Sequence, residues 1–107
     1  MARDLEQLYA EYNDLYFNGE LPTIPVKWGK VHKSHAAEFV TYDDGTLAIV
    51  ISPKLKTYTC WAYLTLIHEM AHVKLRNFKG DDGDLHGPKF QREMKRLANA
   101  GAFNGLW

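Results

Sequence analysis

The chain has 107 residues, 46% of them apolar and 24% charged, the proportions of one folded domain and not of a disordered or fibrous chain. Thirteen basic side chains balance thirteen acidic ones, so no overall field selects nucleic acid or a membrane surface, and attraction to a polyanion needs a local patch. Cys60 is the single cysteine, which rules out an internal disulfide and a four-cysteine zinc ribbon.

The charged start, Met1-Ala2-Arg3-Asp4-Leu5-Glu6, lacks the apolar core of a secretory signal. His68 and Glu69 interrupt the longest apolar run before it reaches membrane-spanning length. The expected setting is cytoplasmic, with no membrane partner, and nucleoid-associated if the protein binds DNA. One domain, 1–107, is expected, without repeats or linkers, and monomeric because no apolar stripe is left over.

In chain order, Asp4 to Phe17 reads as an amphipathic helix. Leu5, Leu8, Tyr9, Tyr12, Leu15 and Tyr16 recur at steps of three and four and share one stripe. Asp4 followed by Gln7 fits a capping-box start; Gly19 is a natural C-cap and Pro22 prevents continuation. Ile24 to Trp28 reads as a short strand, placed at a sheet edge by Pro25. Phe39–Tyr42 and Thr46–Ile51 read as a hairpin across Asp43-Asp44-Gly45. In its second arm Leu47, Ile49 and Ile51 alternate with Ala48 and Val50. Both faces are apolar, so this strand belongs inside the sheet.

Ser52-Pro53 offers an N-cap and a first helical Pro for a short turn. Thr59 to Arg76 follows, where Trp61, Leu64, Leu66, Ile67, Met70, Ala71, Val73 and Leu75 cover most of a helix circumference, predicting a largely buried helix. After a loop from Asn77 to Leu85, Pro88 opens a last helix with Phe90, Met94, Leu97 and Ala98 inward, ended by Gly101. Helix, small sheet, central helix, loop and helix make an α+β domain.

His68-Glu69-Met70-Ala71-His72 is an H-E-x-x-H motif inside the central helix. A four-residue step puts both imidazoles on one face, roughly 6 Å apart along the axis, suited to adjacent corners of a zinc tetrahedron. Glu69, turned by about 100°, can reach a water without ligating the metal. A general base beside a Lewis acid is what hydrolysis of an unactivated amide requires. A buried helix rejects two imidazoles and a carboxylate unless each finds a partner, and one cation serves all three.

A catalytic zinc needs a third protein ligand and an open position. Asp81, Asp82, Asp84, His86 and Glu93 are candidates. The metzincin position six residues after His72 holds Phe78, and Leu75 stands where that pattern has glycine. Glu93 reads as an exposed helix carboxylate. His86 is better placed, at the end of a loop long enough to fold back and beside Gly87, with a loop aspartate as runner-up. His32 and His35 read as solvent-loop histidines.

With these residues in hand, the chain resembles the SprT-like family, whose eukaryotic branch is Spartan. Leu15-Tyr16-Phe17-Asn18-Gly19-Glu20-Leu21-Pro22 is similar to its N-terminal signature, Val26-Lys27-Trp28 to its first strand and Ile51-Ser52-Pro53 to its approach to the active-site helix. Leu66-Ile67-His68-Glu69-Met70-Ala71-His72 and His86-Gly87-Pro88-Lys89-Phe90 are similar to its metal motifs. The resemblance runs from about Leu5 to Leu97. It implies a zincin-like minimal metalloprotease fold, with an N-terminal helix, a three-stranded sheet, a buried HExxH helix and a C-terminal helix. It also implies one catalytic zinc on His68, His72 and His86, with Glu69 catalytic.

Spartan-type members cleave proteins crosslinked or tightly bound to DNA and are switched on by DNA. The resemblance therefore implies a protein substrate and DNA, single-stranded or junction-containing, as a partner. The chain stops at Trp107 without the C-terminal zinc ribbon of many relatives, so a short form is expected. Within the domain, Lys74, Arg76, Lys89, Arg92, Lys95 and Arg96 are the candidate nucleic-acid contacts. Trp28 and Trp61 are candidate stacking platforms, with core packing the favoured use. The alternative function is a zinc-stabilised DNA- or protein-binding module without turnover.

Overall fold

The computed structural model describes residues 4–33, 35–76 and 87–103. Helix α1 is Leu5–Tyr16, followed by strands β1 (Val26–Trp28), β2 (Ala37–Thr41) and β3 (Leu47–Ile51), a short 3-10 helix (Pro53–Thr57), α2 (Thr59–Leu75) and α3 (Pro88–Asn99). The α+β order and the three-stranded sheet are as the sequence pattern requires.

Asp4 N-caps α1, its Oδ1 accepting from the Glu6 N–H at 3.3 Å. The far end is closed by backbone: the N–H groups of Phe17 and Gly19 both donate to the Asn13 carbonyl, while Asn18 and Gly19 take left-handed φ of 55° and 70°. Asn13 then latches the return, its amide donating to the Leu21 carbonyl and its Oδ1 accepting from the Leu21 N–H, each at 3.0 Å. Leu5, Leu8 and Tyr9 are buried, but Leu15 is exposed, so the inward stripe of α1 is narrower than its apolar periodicity.

Sheet order is β1-β3-β2, with β1 parallel and β2 antiparallel to β3. β1, which follows Pro25, is an edge and β3 is central, both as expected. Val26, Ile49, Ile51 and Phe39 face the core formed with α1 and α2. Ala48 and Val50 are buried outside that core cluster, on the other face. Gly29 packs so closely there that an added Cβ would come within 2.9 Å of Val50 Cγ1. Gly45, at φ +87°, and Asp44, which accepts from both the N–H and the hydroxyl of Thr46, make the β2–β3 turn.

Ser52 caps the 3-10 helix, accepting from the Lys54 N–H at 3.3 Å, with Pro53 as its first residue. In α2, Leu66, Ile67, Met70 and Val73 are fully excluded from solvent, each contributing about 1.5–3 kcal/mol of burial. Trp61 departs from the expected all-round burial: it is 65% exposed, because nothing packs over that side of the first turn of α2 among the described residues.

α3 starts at Pro88 after the N-cap Gly87 and stops before Gly101 at φ +89°. Its inner face is Phe90, Glu93 and Leu97 with Met94 half-buried; Ala98 is exposed, contrary to the periodicity, because the buried stripe extends toward Glu93, about 140° around the helix from Ala98. No helix among the described residues is long and apolar enough to cross a membrane.

Candidate metal centre

α2 is the element that builds the centre. His68 and His72, one turn apart, are half-buried with ring centroids 5.0 Å apart at 70°. Glu69, next in the chain, is turned into the protein and only 6% exposed. His68, Glu69 and His72 each offer a ligand atom within 4.8 Å of the other two, a group that can hold a metal ion. Two imidazole nitrogens on a rigid, packed helix, with a carboxylate beside them, suit a borderline cation such as zinc.

Phe90 of α3 fixes the imidazoles. Its ring stacks on His72 at 4.3 Å and 18° and meets His68 edge-on at 4.9 Å and 62°. Periodicity placed Phe90 on the inner face of α3 but said nothing of this contact, because the crossing of two helices is not written in either one.

The position of α3 is itself clamped. Glu93, read from sequence as an exposed carboxylate, is 6% exposed and sits between Lys74 Nζ, at 2.9 Å, and Arg96, whose Nε and Nη2 lie at 2.9 and 2.6 Å. Arg96 also donates to the Tyr16 carbonyl at 2.8 Å, tying in the end of α1. Burial raises the Glu93 pKa, but the hydrogen bonds and charges of Arg96 and Lys74 outweigh it and leave the carboxyl below its ordinary value. Glu93 is thereby a helix clamp.

Burial pushes the Glu69 carboxyl up to about 7; the charge of His35 draws it down and that of Glu38 pushes it further up. His35, taken from sequence for a solvent-loop residue, is exposed yet electrostatically in reach of Glu69. Its Nδ1 lies 3.3 Å from Glu38 Oε2, and Glu38 Oε1 accepts from the His32 N–H at 3.3 Å. The signal missed was the return of β2 across α2, which places the start of that strand at the motif.

His86 lies outside the described residues, as do Lys79, Asp81, Asp82 and Asp84. Gly87, its sequence neighbour, is buried, and Phe90 three residues later rests on both imidazoles, so α3 begins at the centre. Of the candidate nucleic-acid contacts, Lys74 and Arg96 hold Glu93, and Arg76 Nη1 donates to the Val73 carbonyl at 2.6 Å. Arg92 and Lys95 are exposed. An open groove of about 360 Å³ between α2 and α3 is lined by Lys74, Leu75, Lys89, Arg92, Glu93 and Arg96.

Comparison with known proteins agrees with this geometry. The SprT-like family model matches residues 5–105. The DNA-dependent metalloprotease SPRTN of Homo sapiens is 35% identical over 88% of this chain and 20% of its own length, and that of Rattus norvegicus is 36% identical over the same shares. The DNA-dependent metalloprotease dvc-1 of Caenorhabditis elegans is 34% identical over 94% of this chain and 29% of its own. The chain thus spans about a fifth to three tenths of these relatives. A match along nearly its whole length, on a zincin-type α+β frame with a metal-competent helix, places the chain in the SprT-like family.

Proposed function

We propose that this chain is a zinc-dependent endopeptidase acting on proteins bound or crosslinked to DNA. The observation that carries the reading is the buried Glu69 carboxyl beside two imidazoles one helical turn apart, with ligand atoms of all three within 4.8 Å of one another. Metalloprotease relatives that align over nearly all of this chain support the peptidase half. Their DNA dependence, carried in their names, supports the other half.

His68 and His72 would hold zinc as neutral imidazoles, with Phe90 fixing their planes. His86, adjacent to the anchored start of α3, is the third ligand in this proposal. When bound, zinc supplies Lewis acidity toward the scissile carbonyl and acidifies water toward a pKa of about 7. Glu69 accepts the proton of the attacking water on its carboxylate and delivers it to the departing amine. Burial raises the proton affinity of this carboxyl and a bound cation would draw it back down, the two influences that set a base for both transfers.

The test is Glu69→Gln, assayed on a DNA-bound protein with and without single-stranded DNA. Zinc content should stay stoichiometric while cleavage falls by at least about 10²-fold. Retained cleavage would remove Glu69 from the mechanism, and wild-type protein that binds zinc and DNA without turnover would make the chain a binding module. His86→Ala should lower zinc affinity sharply; unchanged stoichiometric zinc would assign the third ligand elsewhere.

A further inference from the structure

The first turn of α2 carries an aromatic surface that the peptidase reading does not use. Trp61 is 65% and Tyr58 63% exposed, three residues apart across the start of the helix. Large aromatic side chains normally bury most of their area, so two uncovered ones on a single turn mark a contact surface.

Its charge is one-sided. From Gly45 through His68 the sequence has no carboxylate, and Lys54 and Lys56 precede the two rings on the 3-10 helix. Lys56 Nζ lies 5.7 Å from the Trp28 ring centroid, so a cation already rests on an aromatic face beside this surface. No side chain caps the start of α2, which favours an anion there. By contrast α1 displays Glu6, Glu11 and Asp14.

We propose that Tyr58 and Trp61, flanked by Lys54 and Lys56, form a platform for single-stranded nucleic acid. Bases stack on the two rings and the lysines meet the phosphates. Stacking needs unpaired bases, and two exposed rings next to a pair of cations match a base-and-phosphate strand better than an apolar peptide.

Trp61 stands seven residues before His68, about 20° short of two full turns, so both lie on one side of α2 about 10 Å apart along its axis. A strand held here runs beside the metal centre, so that DNA presents its attached protein to it. This placement rests on the DNA half of the proposed function and is independent of the peptidase half.

The experiment is fluorescence anisotropy of the zinc-loaded protein with labelled oligothymidylate of about 16 nucleotides, titrated at several salt concentrations. Trp61→Ala should weaken binding about tenfold, and Trp61→Phe should restore most of it. Lys54→Gln with Lys56→Gln should lower the slope of log affinity against log salt by about 1.4. Duplex DNA of equal length should compete poorly.

If all variants bind as wild type, the platform is refuted while DNA binding survives elsewhere, with the α2–α3 groove the next surface. If they bind as wild type but raise KM for a DNA-free peptide, the surface is a substrate pocket and the proposal also fails. If wild type binds no oligonucleotide, the platform and the DNA half of the function fall together, and cleavage of the DNA-free peptide then decides the peptidase half alone.

Discussion

Glu69→Gln in the chelated protein tests the physics of the centre apart from its catalysis. Eighteen buried apolar residues drawn from α1, the sheet, α2, α3 and the loops between them form one core, so the fold is expected to persist without metal. Burial moves the Glu69 carboxyl from 4.5 to about 7, so the folded chain keeps a proton that the unfolded chain releases over that window. With more protons bound in the native state, unfolding free energy falls as pH rises, by about 1.36 kcal/mol per pH unit. Little is lost below the unfolded pKa, and the loss is complete above the folded one.

Between about pH 5 and pH 8 the loss from this group comes to about 2–3 kcal/mol, integrated over the two pKa values. Glutamine keeps the shape and cannot ionise, so the variant should lack that component. Urea unfolding of both proteins at the two pH values, in chelator, gives the difference directly; groups not coupled to Glu69 cancel in it, and only His35 and Glu38 carry a residual through their charges. A bound divalent cation favours the carboxylate, so zinc should shrink the effect. Parallel pH profiles for the two chelated proteins would refute the buried, proton-retaining carboxyl.

Two other changes test the supports of the site. Phe90→Leu keeps an apolar side chain but removes the ring that stacks on His72 and abuts His68; zinc affinity should fall about tenfold in a chelator competition, with the fold retained. Glu93→Ala leaves Lys74 and Arg96 facing each other without their anion. Both cations are a third or more exposed and can rehydrate, so the cost should be about 2 kcal/mol in denaturant titration, below that of a fully buried pair. Because the folded pKa of Glu93 is depressed, its stabilisation is present above the unfolded carboxyl pKa and lost as pH falls through the folded one; acid unfolding of Glu93→Ala should therefore be less steep than that of wild type.

Periodicity and punctuation carried the elements: Pro25 marks an edge strand, Ser52-Pro53 a capped turn, and the two-faced apolar strand Leu47–Ile51 the centre of the sheet. The metal motif was legible because its four-residue step fixes geometry within one helix, independent of tertiary structure. What was not legible lies between elements. Glu93 reads as a surface residue paired with Arg96 on its own helix, and the approach of Lys74 from α2, which closes the other side of the carboxylate, is not written in α3. Trp61 reads as core because periodicity counts apolar residues without knowing where the neighbouring layer stops. His35 gained its reach to Glu69 from the pairing of β2 with β3, a contact across the sheet that no local pattern encodes.

These features divide α2 by face, and the division explains how a small domain can hold a polar centre rigidly. Leu66, Ile67, Met70 and Val73 anchor one side in the core, so the backbone under His68 and His72 cannot shift without opening that core. Glu69 sits at the border, dry enough for its proton affinity to rise. Lys74, two residues and about 200° around the helix beyond His72, reaches Glu93 on the flank and holds α3 where Phe90 can press on both imidazoles. The two imidazoles are therefore oriented by a hydrophobic anchor behind and an ionic clamp at the side. On the proposed function, weakening the ionic clamp should loosen zinc before it unfolds the domain, because Phe90 and the imidazole planes depend on it while the core behind α2 does not.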